Sequence, residues 1–318
     1  MLRIIRFLLI SFSIPLFAQT GCDNCSYIIY TPEEMAEHKK IYMENMRTNH
    51  ANLHDSTYQM QRALRTITGK DCDYIPKIID AGKIFTDGSI SYQLMHNGVK
   101  IVLNSYYGVQ WITDVIYGLK GHHESQEEKC FYEVLKYIPE NATMLELGSF
   151  WGYYSLWFAF EIDGAVNYLI EPDPHRLEIG RKNFELNNKT GKFFRGYAGV
   201  MVDTDFDRHG LQKIIIDDFI AQEKIEHIHI LHADIQGGEY GMLESAVKSL
   251  DKIDYFFIST HGDHHLHFPC INFLKNHGYT ILAEHTLHQS YSGDGLIVAK
   301  RKGVAGPEEI EIQKLGIN

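Results

Sequence analysis

Positive charge is scarce in this chain of 318 residues, where 30 Lys and Arg stand against 41 Asp and Glu for a formal charge of −11. Neutralising phosphates needs a basic footprint, so the composition argues against nucleic acid as a partner. Cysteine is sparse as well. The five present (Cys22, Cys25, Cys72, Cys130 and Cys270) are odd in number and widely scattered, which rules out a disulfide framework. Cys22 and Cys25 form a C-x-x-C, but no second pair completes a structural zinc site. The apolar run from Phe7 to Ala18 is too short to span a bilayer comfortably. Arg3 and Arg6 ahead of it give residues 1–20 the pattern of a secretory signal or an anchor, with residues 7–18 as the candidate membrane contact.

A further absence is the most informative. Met144-Leu145-Glu146-Leu147 reads as a buried strand that enters a turn at Gly148-Ser149-Phe150-Trp151-Gly152 and then a helix. A pyrophosphate-binding turn wants three glycines in G-x-G-x-x-G; here Gly148 and Gly152 are separated by bulky Phe150 and Trp151. Acidic Glu146, two residues before Gly148, would repel a pyrophosphate and suit a cation. After Leu169 and Ile170 the next strand ends in Glu171, placed to accept hydrogen bonds from a ribose. The ligand that satisfies these conditions is S-adenosylmethionine (SAM), with a ribose, no phosphate, a sulfonium and an ammonium, and one carboxylate for a helix N-terminus. SAM is made in the cytoplasm, which conflicts with export, so the leader points to export or anchoring and the cofactor to the cytoplasmic side.

Four segments are expected: the leader (1–20), an N-terminal helical and hairpin extension (21–120), a cofactor domain (121–302) and a tail (303–318). Thr31 to Ile67 reads helical, with Thr31 as N-cap, Pro32 at the first helical position, and Glu33 and Glu34 at the positive end. Ser89 to Leu103 alternates around Asn97-Gly98, a strong hairpin signal. The extension is expected to act as a cap or as a homodimer surface. From Thr143 onward, strand-like and helix-like segments alternate. Strands are expected near 143–147, 167–171, 192–197, 228–233, 254–259, 279–283 and 295–299, giving a seven-stranded, mostly parallel α/β sheet with the last strand reversed. Asp173 and Pro174 signal the helix that follows Glu171.

Leu145-Glu146-Leu147-Gly148-Ser149, Ile170-Glu171-Pro172-Asp173-Pro174, Ile216-Asp217-Asp218-Phe219, Ala233-Asp234-Ile235-Gln236-Gly237-Gly238-Glu239 and Asp294-Gly295-Leu296-Ile297-Val298-Ala299 occur in that order. Together they resemble the motifs of the FkbM-type SAM-dependent methyltransferases over roughly Glu128 to Lys300. The departures are Glu146, where aspartate is commoner, and Gly238, where a larger residue is common. The resemblance implies a class I methyltransferase fold, Rossmann-like, and methyl transfer to the oxygen of a small-molecule acceptor, typically a sugar or secondary-metabolite hydroxyl. It also implies that Glu146, Gly148 and Ser149 border the methionine moiety, that Gly152 lets the helix pack close, that Glu171 holds the ribose and that Tyr197 and Ala198 lie beside the adenine.

Asp234, ending the fourth strand of the domain, is expected to accept a hydrogen bond from the SAM ammonium or the acceptor, or to take the acceptor's proton. His261, ending the fifth, is the candidate base, because imidazole accepts a proton near neutral pH without a large shift. Glu239 is expected either to cap its helix or to touch the substrate. His122 and His123 read as solvated loop residues or as part of the site mouth. Tyr106, Tyr107, Trp111, Tyr153, Tyr154 and Trp157 form either an aromatic wall or core. Two other classes remain open. Thr260-His261-Gly262-Asp263-His264-His265-Leu266-His267 offers zinc-type ligands for a divalent-metal hydrolase, and the fold also admits a SAM-binding protein without turnover.

Overall fold

The computed structural model describes residues 26–49, 57–106, 110–199, 211–262 and 264–316. The leader, Cys22, Cys25, Tyr107 and Asp263 lie outside the described residues. Among the described residues, no helix is long and apolar enough to cross a membrane.

The extension opens with β1 (Tyr27–Ile28), α1 (Pro32–Asn49) and α2 (Thr57–Ile67). Thr31 caps α1 reciprocally: its hydroxyl accepts from Glu34 N (3.2 Å), and its own N–H donates to Glu34 Oε2 (2.8 Å). Then come β2 (Lys77–Ile78), β3 (Ile84–Asp87), β4 (Ile90–Leu94), β5 (Lys100–Val102) and α3 (Gln110–Gly118). The hairpin read around Asn97-Gly98 is β4 and β5, paired antiparallel with Gln93 opposite Ile101, and β3 adds a third strand that the alternation did not announce.

The second part runs α4 (Ser125–Leu135), β6 (Thr143–Leu147), α5 (Tyr153–Glu161), β7 (Val166–Glu171), α6 (Pro174–Leu186), β8 (Lys192–Ala198), β9 (Gln212–Ile214), α7 (Ile216–Gln222) and β10 (Ile228–Asp234). It continues through α8 (Glu239–Glu244), β11 (Ile253–Thr260), α9 (His264–Asn276), β12 (Tyr279–His285) and β13 (Gly295–Arg301). The sheet order is β12-β13-β11-β10-β6-β7-β8-β9. All seven expected strands are present. The sheet has eight, because the short β9 pairs in parallel with β8 at the far edge. Between β12 and β13 lies only a single 3-10 turn at Leu287–Gln289, too little chain for a crossover helix, so β13 runs antiparallel to both neighbours.

Both faces of the sheet are covered, which is why β11 is buried at every position. One face packs α7, α8 and α9 through Phe219, Met242, Leu243 and Leu274. The other packs α4, α5 and α6 through Phe131, Trp157 and Phe184, and the same core continues into the extension through Ala63, Ile67 and Val115. Side chains of α6 serve as a strand partner for β5. Asn183 Oδ1 accepts from Val102 N (2.9 Å), Asn187 Oδ1 accepts from Lys100 N (2.8 Å), and Asn187 Nδ2 donates to Lys100 O (2.7 Å).

After β6 the chain adds β7, β8 and β9 on one side and then returns to place β10 on the other. That reversal opens a crevice at the carboxyl ends of β6 and β10, where ligands of open parallel sheets bind. Gly148 sits in it with φ +71°, and a Cβ there would lie 1.8 Å from the carbonyl oxygen of Asp234. We expect Gly148→Ala to cost about 1–3 kcal/mol of stability from backbone strain alone. Urea unfolding of the variant checks this, and a midpoint equal to the parent's would contradict the close approach.

Candidate active site

The turn from Gly148 to Gly152 is tied to the end of β7, where Gly148 N and Ser149 N both donate to Ile170 O (2.9 and 3.1 Å). Phe150 follows with φ 42°, and its N–H reaches Glu171 Oε2 at 3.1 Å. Asp173 N donates to the other oxygen of Glu171 (2.9 Å), while Asp173 caps α6 by accepting from His175 N and Arg176 N. Burial pushes the Glu171 carboxyl up to about 7, and these backbone donors and Arg176 only partly offset it. A carboxyl so placed is stabilised as an anion by further hydroxyl donors.

Glu146 is buried at the end of β6 and accepts from Ser155 N (3.2 Å) in the first turn of α5. Burial raises it to about 7 against the pull of His232. His232, beside it on β10, lies 2.8 Å from Glu127 Oε1, and Ser259 donates to Glu127 Oε2 at 3.0 Å. Burial opposes the charge on His232, but Glu127 and Glu146 outweigh it and raise its pKa. A buried polar chain therefore runs beneath the crevice from α5 across β6 and β10 to α4 and β11.

Asp234 and His261 meet at the crevice, with His261 Nε2 at 3.2 Å from Asp234 Oδ1 and 3.3 Å from Asp294 Oδ1. On the opposite side of the ring, Nδ1 is 2.8 Å from Oε1 of Glu239, which is fully buried. Burial works against the imidazolium, yet Asp234, Asp294 and Glu239 prevail and push the His261 pKa up to about 11. The expectation that His261 titrates near neutrality without a large shift is thereby corrected, because its neighbours are carboxylates on three different elements. Asp234 is raised to about 6, first by burial and then by Asp294, Glu124 and Glu127, with His261 opposing.

Tyr197 and Ala198 end β8, next to Gly199, whose Cα packs against the Gly238 carbonyl. Glu239 begins α8, but its carboxylate turns back to His261 and to Gly237 N (3.1 Å). His122 and His123 are not solvated: both are buried, with Nδ1 of each against Glu128, and His123 N donates to Glu128 Oε1 at 2.7 Å. The aromatic set divides. Tyr153, Tyr154 and Trp157 are core, whereas Tyr106 stacks on Phe150 (centroids 4.9 Å) and meets Trp111 edge-on at the turn.

His267 faces Thr260 Oγ1 (2.8 Å) and Glu284 Oε2 (3.2 Å), away from the partners of His261, so the two do not share a metal-ligand set. Among the described residues, two groups come close enough to share an ion: His96–His122–Glu128 and His227–His229–Asp254. In the first, the rings of His96 and His122 stack 4.1 Å apart at 17°, so their in-plane lone pairs run side by side and do not converge. In the second, Asp254 already accepts from Arg301 (2.6 Å).

Sequence reasoning missed Asp294 as a neighbour of His261, Glu127 and His232 beneath the site, and Arg62. Arg62 reaches from α2 to Ser292 O (2.6 Å) and Asp294 Oδ2 (3.4 Å). Separation in the chain hid these contacts. The one local signal was the acidic run Glu124 to Glu128, too polar for an ordinary buried helix start.

Residues 203–281 match the family model described as the Methyltransferase FkbM domain, which bears out over that stretch the resemblance read from the motifs. No curated protein matches the chain. Among solved structures, the chain is similar to M. capricolum TrmK in complex with S-adenosyl-homocysteine (17% identity, 54% of this chain and 68% of that one, TM-score 0.37). It is also similar to a precorrin-6y C5,15-methyltransferase from Geobacter metallireducens (10% identity, 54% and 87%, TM-score 0.38).

The pKa of His261 lies above its ordinary 6.5, so the ring's contribution to stability is complete below that pH and fades as pH rises toward about 11. The ¹⁵N spectrum of the ring should accordingly stay that of an imidazolium from pH 6 to 9. A midpoint near 6.5 would break the carboxylate cage as described.

Proposed function

We propose that this chain is a SAM-dependent methyltransferase that methylates a hydroxyl oxygen of a small molecule of the sugar or secondary-metabolite kind. The observation that carries the reading is the gathering of Glu171, the Gly148 turn and the Asp234–His261 pair at the crevice where the strand order reverses, between β6 and β10. The FkbM domain match supports it, since it spans Asp234, Glu239 and His261.

The residues present fit the cofactor. Glu171 has a buried carboxyl with acceptor capacity left after two backbone N–H groups, which suits the paired hydroxyls of a ribose. Gly148 and Gly199 let backbone press on backbone, against the carbonyl oxygens of Asp234 and Gly238, which draws the strand ends around the crevice together. Carboxylates at the crevice, Asp234 and Asp294 among them, favour a cation. When bound, SAM supplies an electrophilic methyl group on a sulfonium.

The chain's own residues then act on the acceptor. His261 already holds a proton, so Asp234 is the member of the pair with lone pairs free for the proton of the attacking hydroxyl. A carboxyl titrating at about 6 is close to the working pH, where a general base is most effective. Glu239 fixes the imidazole ring from behind, and Asp294 shares its Nε2 side with Asp234. Most of the acceleration comes from alignment, which in favourable cases contributes roughly 7–11 kcal/mol.

The full chain incubated with methyl-labelled SAM and small-molecule extracts should yield a labelled ether identifiable by mass spectrometry. With that product in hand, Asp234→Asn should lower kcat by about 10²- to 10⁴-fold while SAM still binds. The parent's kcat should rise with pH through about 6 and then level off; a variant as active as the parent removes Asp234 from the chemistry.

Cofactor affinity carries a separate signature. Ribose donors favour ionised Glu171, whose carboxyl is protonated below about 7 in the free protein. Affinity for SAM should therefore fall as pH drops below that value, by up to about tenfold per unit, and be flat above it. Calorimetry at pH 5.5 and 8 tests this. Glu171→Gln should reduce the dependence to the share that Glu146 and Asp234 contribute, and equal affinities in the parent would exclude Glu171 from the ribose site.

A further inference from the structure

Gln236 follows Asp234 by two residues and adopts a left-handed backbone, φ 52°, that a non-glycine residue takes at some cost in strain. The residue is exposed at the crevice, and its side chain folds back onto two neighbours. The amide Nε2 lies 2.8 Å from Asp234 Oδ1 and 2.7 Å from His261 Nε2, which are themselves 3.2 Å apart. The strained backbone thus delivers one amide group into the notch between the two side chains to which proton handling is assigned above.

We propose that the Gln236 amide is a place-holder for the acceptor hydroxyl, filling the nucleophile's position until an alcohol takes over its two contacts. This rests on the methyltransferase reading and extends it to a specific side chain. The chemistry of the notch favours exchange. Asp234 accepts and takes a further donor readily, whereas the imidazolium Nε2–H, shared between Asp234 and Asp294, is itself a donor and gains nothing from an amide nitrogen 2.7 Å away. An amide nitrogen offers only donors, so it satisfies Asp234 and opposes His261. A neutral hydroxyl accepts and donates through a single oxygen, so it satisfies both at once. A neutral amine has one lone pair, which cannot both accept from His261 and attack the methyl group, whereas an oxygen has two, so the notch selects oxygen acceptors over amines.

Holding the notch also keeps water out of the attacking position while no acceptor is present. Water there would react as SAM + H₂O → S-adenosylhomocysteine + CH₃OH + H⁺, with the C–S bond broken, a C–O bond formed and the proton passing to Asp234. Blocking such side reactions is a recognised function of a filled active site.

The test uses the full chain without added acceptor and needs two variants. Gln236→Gly removes the side chain and relieves the φ strain, and Gln236→Asn keeps an amide too short to bridge both partners in a residue that tolerates this backbone. With [methyl-¹³C]SAM at equal occupancy, established by calorimetry, Gln236→Gly should release labelled methanol roughly tenfold faster than the parent or more. Gln236→Asn should fall between, and adding Asp234→Asn should cancel the gain. A crystal structure of Gln236→Gly should show a water within hydrogen-bond distance of both Asp234 Oδ1 and His261 Nε2. Methanol release no faster than the parent's, with SAM bound equally, would overturn the place-holder alone. No SAM binding by the parent would instead overturn the methyltransferase reading, and the place-holder with it.

Discussion

The contact on which the architecture turns is the meeting of Gly148 with the main chain of Asp234 at the reversal of the sheet. Two strand ends, distant in sequence, approach until no Cβ fits between them. Everything chemically notable is placed relative to that pinch. Glu171 reaches it because its strand hydrogen-bonds to β6, and His261 reaches it because β11 pairs in register with β10, Ser259 opposite Asp234. Ordinary parallel pairing thus converts the ends of four neighbouring strands, β11, β10, β6 and β7, into one row of functional groups.

Electrostatics then differentiates similar side chains. Three carboxyls of the crevice stand above their ordinary range through burial, while Asp294, beside the charged groups of His261 and Arg62, stands below it. The crevice therefore holds carboxyl groups that are protonated or ionised in overlapping pH ranges, two of them, Asp234 and Asp294, in contact with the imidazolium of His261. An arrangement of that kind tolerates the arrival of a cation, because protons can leave as it enters.

Much of this was legible because it is periodic or local. The strands from Thr143 to Arg301 announced themselves by apolar runs at regular spacing, Asp173 by its position before a helix-starting proline, and the hairpin by Asn97-Gly98. What was not legible depends on distance in the chain. The protonation of His261 is set by Asp234, Glu239 and Asp294, on three separate elements, so its residue type alone pointed to an ordinary imidazole. The burial of His122 and His123 follows from Glu128 folding back on them, which a polar loop does not advertise. β9 is three residues long, and its partner is settled only by the sheet edge it joins.

Asn183 of α6 joins the hairpin to the glycine turn. With one side chain it receives the N–H of Val102 from the extension and donates to the carbonyl of Trp151 in the glycine turn (2.9 Å each). A single amide is thereby shared between the glycine turn of the parallel sheet and the antiparallel hairpin. The hairpin of β4 and β5 is consequently tied to the cofactor turn through one side chain. An insertion or deletion in the hairpin would therefore be felt at the cofactor turn, because the amide that holds one also holds the other.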